Sequence, residues 1–368
     1  MAQTAPTKLI MKLFFSFLLS ICIAGSIFAQ MSGYGSSHND GVELGANHTT
    51  GAHGIALGNA VKMRGYLSTI VHRGYANSGD DKNGYDGTSI TADTDFLIDF
   101  SPVTAEIHLA LGDGDLNPSV DDLLEQAFGR YSFSSDLHLT FGRQVSVLGF
   151  DSDELTNRYA ITRAYEHAKD SSGDNLFGKN YVDGIRLNYN NGGFGFVFGL
   201  YDTYFYPSNN EDNGTDSELN DGLGIDLAAS MILFDGFEAR LGFATEEVKY
   251  EKTDASAVGN LESDIDHQFN LALIWNPGPL TLAWELDTYH RSNDQNGWNS
   301  MLLANYAFTD FLSGTLRYSH IDFEKDRTDI YTLAMLMAVS DHFDLNFEYN
   351  RVEGEDLNQF AVQGIVSY

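Results

Sequence analysis

From Val61 onward the chain alternates apolar and polar residues in stretches of about ten, the period-two pattern of strands with one greasy and one polar face. Phe194, Phe196, Phe198 and Leu200 share one face of one such stretch. In another, Leu280, Leu282, Trp284 and Leu286 alternate with Thr281, Ala283, Glu285 and Asp287. A third sets Phe343, Leu345, Phe347 and Tyr349 against Asp344, Asn346, Glu348 and Asn350. A soluble sandwich also alternates, so the discriminating feature is the repetition to the end of the chain.

The pattern predicts strands at 61–75, 90–100, 103–112, 122–133, 137–147, 181–190, 193–203, 222–234, 236–249, 264–275, 279–291, 298–308, 311–323, 329–339, 342–352 and 357–368. Short turns follow the even-numbered strands, among them Ser101-Pro102, Asn191-Gly192, Asn276-Pro277-Gly278 and Ser340-Asp341. Asn, Asp, Gly, Pro and Ser are the residues tight turns need. Longer polar segments follow the odd-numbered strands. One end of the molecule then carries turns and the other carries loops, which is the asymmetry of outer-membrane barrels, with periplasmic turns and extracellular loops. The expected fold is an all-β transmembrane antiparallel β-barrel of about sixteen strands, both termini on the turn side. In lipid no strand edge can stay unpaired, so first and last strands must meet. Sixteen strands leave an aqueous lumen. Fourteen or eighteen, allowed by irregular stretches near 90 and 122, would change the bore and not the class.

The chain end fits this scheme. Phe360, Val362, Gly364, Val366 and Tyr368 share one face, and a last strand ending in an aromatic resembles the signal by which barrel proteins are recognised for insertion. Aromatics near strand ends (Tyr201, Tyr204, Phe205, Tyr206, Trp275, Phe308, Phe311) are expected to form interfacial girdles.

Residues before the barrel read differently. Lys12, the apolar run Leu13–Ile23 and the small residues after it make a secretory signal peptide over 1–29, with 1–10 an upstream extension before Met11. That run is shorter than the roughly 20 residues a spanning helix needs. The only cysteine, Cys22, lies inside it, behind Ile21, a poor match to a lipoprotein signal. The barrel itself therefore has no thiolate for disulfide, zinc or haem attachment, and no cofactor is expected. Residues 30–60 form a flexible Gly- and His-rich segment; His38, His48 and His53 lack a fixed ligand spacing, so no metal site is assigned to them.

A formal net charge of −31 excludes a nucleic-acid-binding surface, which must be basic. Acids gather in the expected loops, as in 209–221 and 80–86, where they serve solubility or concentrate cations at a channel mouth.

The candidate chemistry lies in the lumen. With the apolar set facing lipid, Lys62, Arg64, Arg130, Arg186, Arg240 and Arg317 point inward, as do the acids Glu106, Asp226, Glu238, Glu285, Asp287, Asp344 and Glu348. Facing rings of opposite charge would set ion preference; the same charges could equally pair and stiffen the wall. Strict alternation aims Arg143 at lipid, an expensive place for a charge, so a bulge is expected to turn it inward. The longest connection, 148–180, is expected to fold into the lumen as a constriction loop carrying Asp151, Asp153, Glu154 and Glu166 against Arg158, Arg163 and Lys169.

Four runs carry a family likeness: Phe141-Gly-Arg-Gln144, Leu148-Gly-Phe150-Asp151, Tyr159 to Tyr165 (YAITRAY) and Val182-Asp-Gly184-Ile-Arg-Leu-Asn-Tyr189. The chain resembles the β-barrel porin-2, or OmpL-like, family of bacterial outer-membrane porins. The layout matches over 61–368 and the specific motifs over about 137–205, with Asp151 where that pattern leads one to expect Glu. The resemblance implies passive diffusion of ions and small hydrophilic solutes across the outer membrane. Expected partners are outer-membrane lipid, lipopolysaccharide and the solutes themselves; the sequence leaves the oligomeric state open, a homotrimer among the options. Two other classes compete. A barrel enzyme would need a nucleophile beside one of His72, His167, His290 or His320, and no nucleophile motif accompanies them. A surface-interaction or adhesion protein would use the acidic loops; Asp113-Gly-Asp115-Leu-Asn117 faintly resembles a calcium loop, but Pro118 stands where such a loop wants Gly.

Overall fold

The computed structural model describes residues 54–76, 86–112, 123–150, 158–165, 181–205, 223–251, 261–291, 295–323, 326–353 and 355–368. Its strands are β1 (Ile55–Ala56), β2 (Val61–Ala76), β3 (Gly87–Phe100), β4 (Val103–Leu111), β5 (Leu124–Ser132), β6 (Leu137–Val145), β7 (Tyr181–Asn190), β8 (Phe194–Tyr201), β9 (Gly224–Phe234), β10 (Phe237–Glu251), β11 (Leu261–Trp275), β12 (Leu280–Arg291), β13 (Gln295–Thr309), β14 (Leu312–Phe323), β15 (Asp326–Ser340), β16 (Phe343–Val352) and β17 (Leu357–Ser367). From β2 to β17 each strand pairs antiparallel with its sequence neighbour, and β17 pairs back onto β2, so sixteen strands close into a barrel. All sixteen expected strands are present. Those expected at 264–275, 298–308 and 329–339 begin three residues earlier, at Leu261, Gln295 and Asp326. Backbone pairing continues beyond the apolar stripe into polar sequence, where hydropathy carries no signal but N–H and C=O groups still need partners.

The seam shows how an edge is avoided. β17 runs along β2 from Leu357↔Ala76 to Ser367↔Tyr66. Gly65 and Tyr368 then exchange both backbone hydrogen bonds at 3.0 Å. Beyond them β1 takes over the remaining edge, pairing Ile55↔Met63 and Ala56↔Lys62. The expected flexible segment thus ends in ordered pairing at residues 55–56; the rest of it, to residue 53, and the signal peptide lie outside the described residues. Gly65 is needed here because a Cβ would sit 2.1 Å from the Asp93 carbonyl oxygen and 2.9 Å from the Tyr368 hydroxyl. That hydroxyl hydrogen-bonds Thr94 Oγ1 at 2.8 Å, so the last side chain reaches past β2 to β3.

Turn chemistry follows the sequence. Asn191 Oδ1 accepts from the N–H groups of Gly193 and Phe194 at 3.0 and 2.9 Å, and Ser134 Oγ accepts from Asp136 and Leu137. Both side chains mimic backbone acceptors across a tight bend.

The outward face is apolar and exposed around the barrel, as at Leu67, Val71, Leu302, Leu316, Leu333 and Val362. In water such a surface would aggregate; in hydrocarbon it is the solvent-matched face. Phe100, Phe133, Phe234, Trp275, Phe308 and Phe311 stand exposed at the turn end as an aromatic belt. Three expected girdle members do not. Tyr201, Tyr204 and Phe205 are buried inside the barrel, because Tyr201 shares the inward parity of β8 and the chain after it bends inward. Tyr206 lies outside the described residues.

Candidate functional site

The inward faces of the strands carry the polar and charged side chains. Lys62, Glu106, Arg130, Arg186, Asp226, Glu238, Glu285, Asp287, Arg317 and Glu348 are buried, and Arg64, Arg240 and Asp344 are half-buried, all at inward positions of their strands. Their arrangement differs from facing rings. Most charges find a partner on the same or the next strand. Arg64 Nε meets Asp95 Oδ2 at 2.9 Å, Arg130 lies 3.7 Å from Glu106, and Arg240 holds Glu238 at 2.8 Å. Arg186 donates to the Tyr201 hydroxyl at 2.8 Å and to the Val145 carbonyl at 2.7 Å, while Tyr201 donates to Asp226 at 2.9 Å. The acids Glu106, Asp226 and Glu238, expected opposite the arginines, sit beside them. Short range wins because attraction between charges in a poorly hydrated wall grows steeply as they approach.

Several inward charged residues were not anticipated. Asp93, Asp95 and Asp99 share one face of β3 with Leu97; His108 lies two residues beyond Glu106 on β4. His108 Nδ1 lies 2.8 Å from Asp95 and its Nε2 3.1 Å from Glu106, so the ring is clamped between two carboxylates. Arg291 meets Asp266 at 2.8 Å. Parity alone would have found all of these, by extending each strand's inward face past its last apolar marker.

Arg143 corrects the expectation made for it. It does not turn inward: β6 keeps its parity, with His138, Thr140 and Gln144 buried and Phe141 exposed. Gly142 takes φ +119°, where an L side chain is strained, yet β6 pairs with β5 and β7 without a register shift. The charge is instead answered on the outer face, where Asp183 accepts from Arg143 Nε and Nη2 at 3.0 and 3.2 Å. Bidentate pairing lowers the cost of leaving a guanidinium on that face.

The connection after β6 enters the barrel. Phe150 N–H donates to Glu285 on β12 at 2.7 Å. Farther along, Ile161 N–H donates to Glu348 Oε2 at 2.6 Å, and Thr162 donates to the same carboxylate through its N–H and through its hydroxyl, the latter at 2.6 Å. Arg317 donates to the Thr162 carbonyl at 2.7 Å and to the Arg163 carbonyl at 3.2 Å. Glu348 and Arg317 stand on β16 and β14, across the sheet from β6. Apolar contacts complete the anchorage. Phe150 and Tyr159 stack at 5.9 Å, and together with Ala164 and Tyr165 they pack on Ile274, Ala283, Met301 and Leu303 of the inner wall. Tyr165 also touches a second inward apolar group, Tyr289, Ile321, Phe323, Ile330, Val352 and Leu357. Arg158 and Arg163 are partly exposed within this segment. Asp151, Asp153, Glu154, Glu166 and Lys169 lie outside the described residues.

A second inward segment follows β8. Glu246 Oε2 accepts from Tyr204 and Phe205 N–H at 2.7 and 2.9 Å, and Tyr204 shares a 2.6 Å hydrogen bond with Ser146 at the root of the first segment. Burial pushes the Tyr204 phenol well above its ordinary pKa, so it stays a neutral hydrogen-bonding group. Among the described residues no group of three or more His, Cys, Asp or Glu is arranged to hold a metal ion.

No protein-family model matches the sequence, and no curated protein matches it. Solved structures do. OmpF of Salmonella typhi, in complex with daunomycin, superposes with a TM-score of 0.59 at 13% identity, over 84% of this chain and 98% of that one. The outer membrane channel DcaP of Acinetobacter baumannii gives 0.59 at 11%, over 86% and 99%. An anion-selective porin from Comamonas acidovorans gives 0.57 at 16%, over 84% and 99%. At these identities the likeness is one of architecture. The chain has the closed sixteen-strand fold of bacterial outer-membrane porins, and its apolar outer face fits the strands to a bilayer.

Proposed function

We propose that this protein is an outer-membrane channel for passive diffusion of ions and small hydrophilic solutes, of the β-barrel porin-2 type. The observation that carries the reading is the anchorage of residues 146–150 and 158–165 inside the barrel, the first by Glu285 and the second by Glu348 and Arg317. A polar interior alone fits many barrels. A loop held deep inside by buried charges fits a device that sets a bore, since its position is fixed by bonds and not left to solvent. The charged wall then acts on what passes: Lys62, Arg64, Arg130, Arg186 and Arg240 against Glu106, Asp226, Glu238, Asp287 and Asp344, with Arg158 and Arg163 on the loop side. Glu285, Arg317 and Glu348, at selectivity positions by strand parity, hold the loop. Liposome swelling with sugars of graded size tests the reading. Permeation that falls with solute size is expected, and impermeability to the smallest sugar would sink it.

A further inference from the structure

The two inward segments meet at the root of the longer one. β6 ends at Val145, whose carbonyl accepts from Arg186 Nη2 at 2.7 Å. The next residue, Ser146, shares a 2.6 Å hydrogen bond with the Tyr204 hydroxyl, and its Oγ also accepts from the Leu148 N–H at 3.3 Å. Leu148 lies over Gly242 on β10, where a Cβ would stand 2.1 Å from Leu148 Cδ2, so glycine supplies the notch that receives it. Leu148 also packs on the buried group that contains Val182, Tyr201, Tyr204 and Phe205. Immediately beyond, Gly149 takes φ +108° and Phe150 N–H reaches Glu285 on β12. The direction in which the connection leaves the wall is therefore set over residues 145–149. Tyr204 is firmly held in turn. Glu246 on β10 accepts from its N–H and from that of Phe205, and its ring contacts those of Tyr201 and Phe205, with centroids at 5.9 and 5.2 Å. Tyr204 is fully buried, so water does not replace the bond to Ser146 when it breaks.

We propose that residues 202–205 clamp the root of the inserted connection, with Tyr204 as the positioning residue, so that two segments and not one set the bore. The inference rests on the channel reading above. Glu348 and Arg317 hold the far part of the connection, and the Ser146–Tyr204 bond with the Leu148 seat holds the near part. Side chains packed this closely pass a displacement on to their neighbours instead of absorbing it. A shift of Tyr204 then moves Ser146, and with it the point from which the connection crosses the lumen.

Tyr204→Phe tests it, because the ring and both backbone bonds to Glu246 stay and only the hydroxyl goes. Single-channel recordings of the full chain in a lipid bilayer should show a second conductance level, with about fivefold more time in it than the unaltered protein spends, as loss of one hydrogen bond allows. Hydrogen exchange over residues 146–150 should quicken by about the same factor. Ser146→Ala should have at least as large an effect, and adding Tyr204→Phe to it should change nothing further, since both remove one bond. Tyr318→Phe, which breaks an outward hydrogen bond to Asp329, should leave both measurements unchanged. Conductance unaltered in Tyr204→Phe and Ser146→Ala would overturn the proposal, even with faster exchange, because the clamp would then only hold the fold. An unaltered protein that forms no channel would instead sink the channel reading, and the exchange rates would still decide whether Tyr204 clamps the root.

Discussion

His108 and Arg143 show how differently one charge can be tolerated in the same wall. His108 is fully buried between Asp95 and Glu106, and Arg64 and Arg130 complete the cluster from β2 and β5. Removing its ring leaves two buried carboxylates that must share the arginines, so His108→Ala should destabilise the barrel by about 3 kcal/mol. The pair between Arg143 and Asp183 is exposed, with half of the Asp183 side chain accessible. It faces outward, and without Asp183 the guanidinium keeps the Leu124 carbonyl as an acceptor at 3.3 Å, so Asp183→Ala should cost about 2 kcal/mol, less than His108→Ala. Denaturant unfolding of both variants in lipid vesicles gives the comparison. Equal midpoints would refute the burial argument. The His108 cluster could have been read from parity along β3 and β4. The outward Arg143 could not, because its partner Asp183 lies forty residues away and only the register of β6 with β7 brings them together.

At the scale of the element, the inserted segment combines two kinds of anchorage. Glu348 satisfies the Ile161 and Thr162 N–H groups, and Arg317 takes the Thr162 and Arg163 carbonyls; a buried N–H or C=O left without its partner costs about 1–3 kcal/mol. The apolar contacts of Phe150, Tyr159 and Ala164 on Met301 and Leu303 would still favour insertion without these bonds. Glu348→Ala combined with Arg317→Ala should therefore loosen the tip and not expel the segment. Single-channel recordings should show a higher and noisier conductance than the unaltered protein, and larger sugars should enter in swelling assays. Conductance unchanged in the double variant would mean that apolar packing alone fixes the bore. Loop length announced an inserted segment in the sequence. The seat that receives it did not announce itself, because Met301, Leu303, Ile321 and Phe323 on an inward face look like faults in the alternation until the loop is placed on them. Tyr204 and Phe205 misled for the same reason: aromatics beside a strand end fit a girdle by composition, and only the Glu246 carboxylate on β10 reveals that they turn inward.

Across the whole molecule, strand number, closure and face could be read from period-two alternation and turn spacing, since both are local. The balance of charge along the interior is not local, and it decides the sign of any ion preference. Local pairing neutralises Arg64, Arg130, Arg240 and Arg291 against Asp95, Glu106, Glu238 and Asp266. Other acids accept from neutral donors. Asp287 accepts from Gln268 and Asn270, Glu285 from Asn270 and the Phe150 N–H, and Glu246 from Tyr204 and Phe205 N–H. A carboxylate held by amides keeps its negative field, whereas one paired with a guanidinium loses most of it. Among the described residues buried carboxylates outnumber buried arginines and lysines, in the same sense as the formal charge of −31 on the chain. Bilayer reversal potentials across a potassium chloride gradient should show a cation preference at 0.1 M, where the screening length is about 10 Å. Near 1 M, with screening over about 3 Å, the preference should shrink toward unity. Asp287→Asn should reduce the low-salt preference and leave the high-salt value nearly unchanged. Anion preference at every salt concentration would instead mean that Arg158 and Arg163 on the inserted segment, and not the wall acids, dominate the field that ions meet.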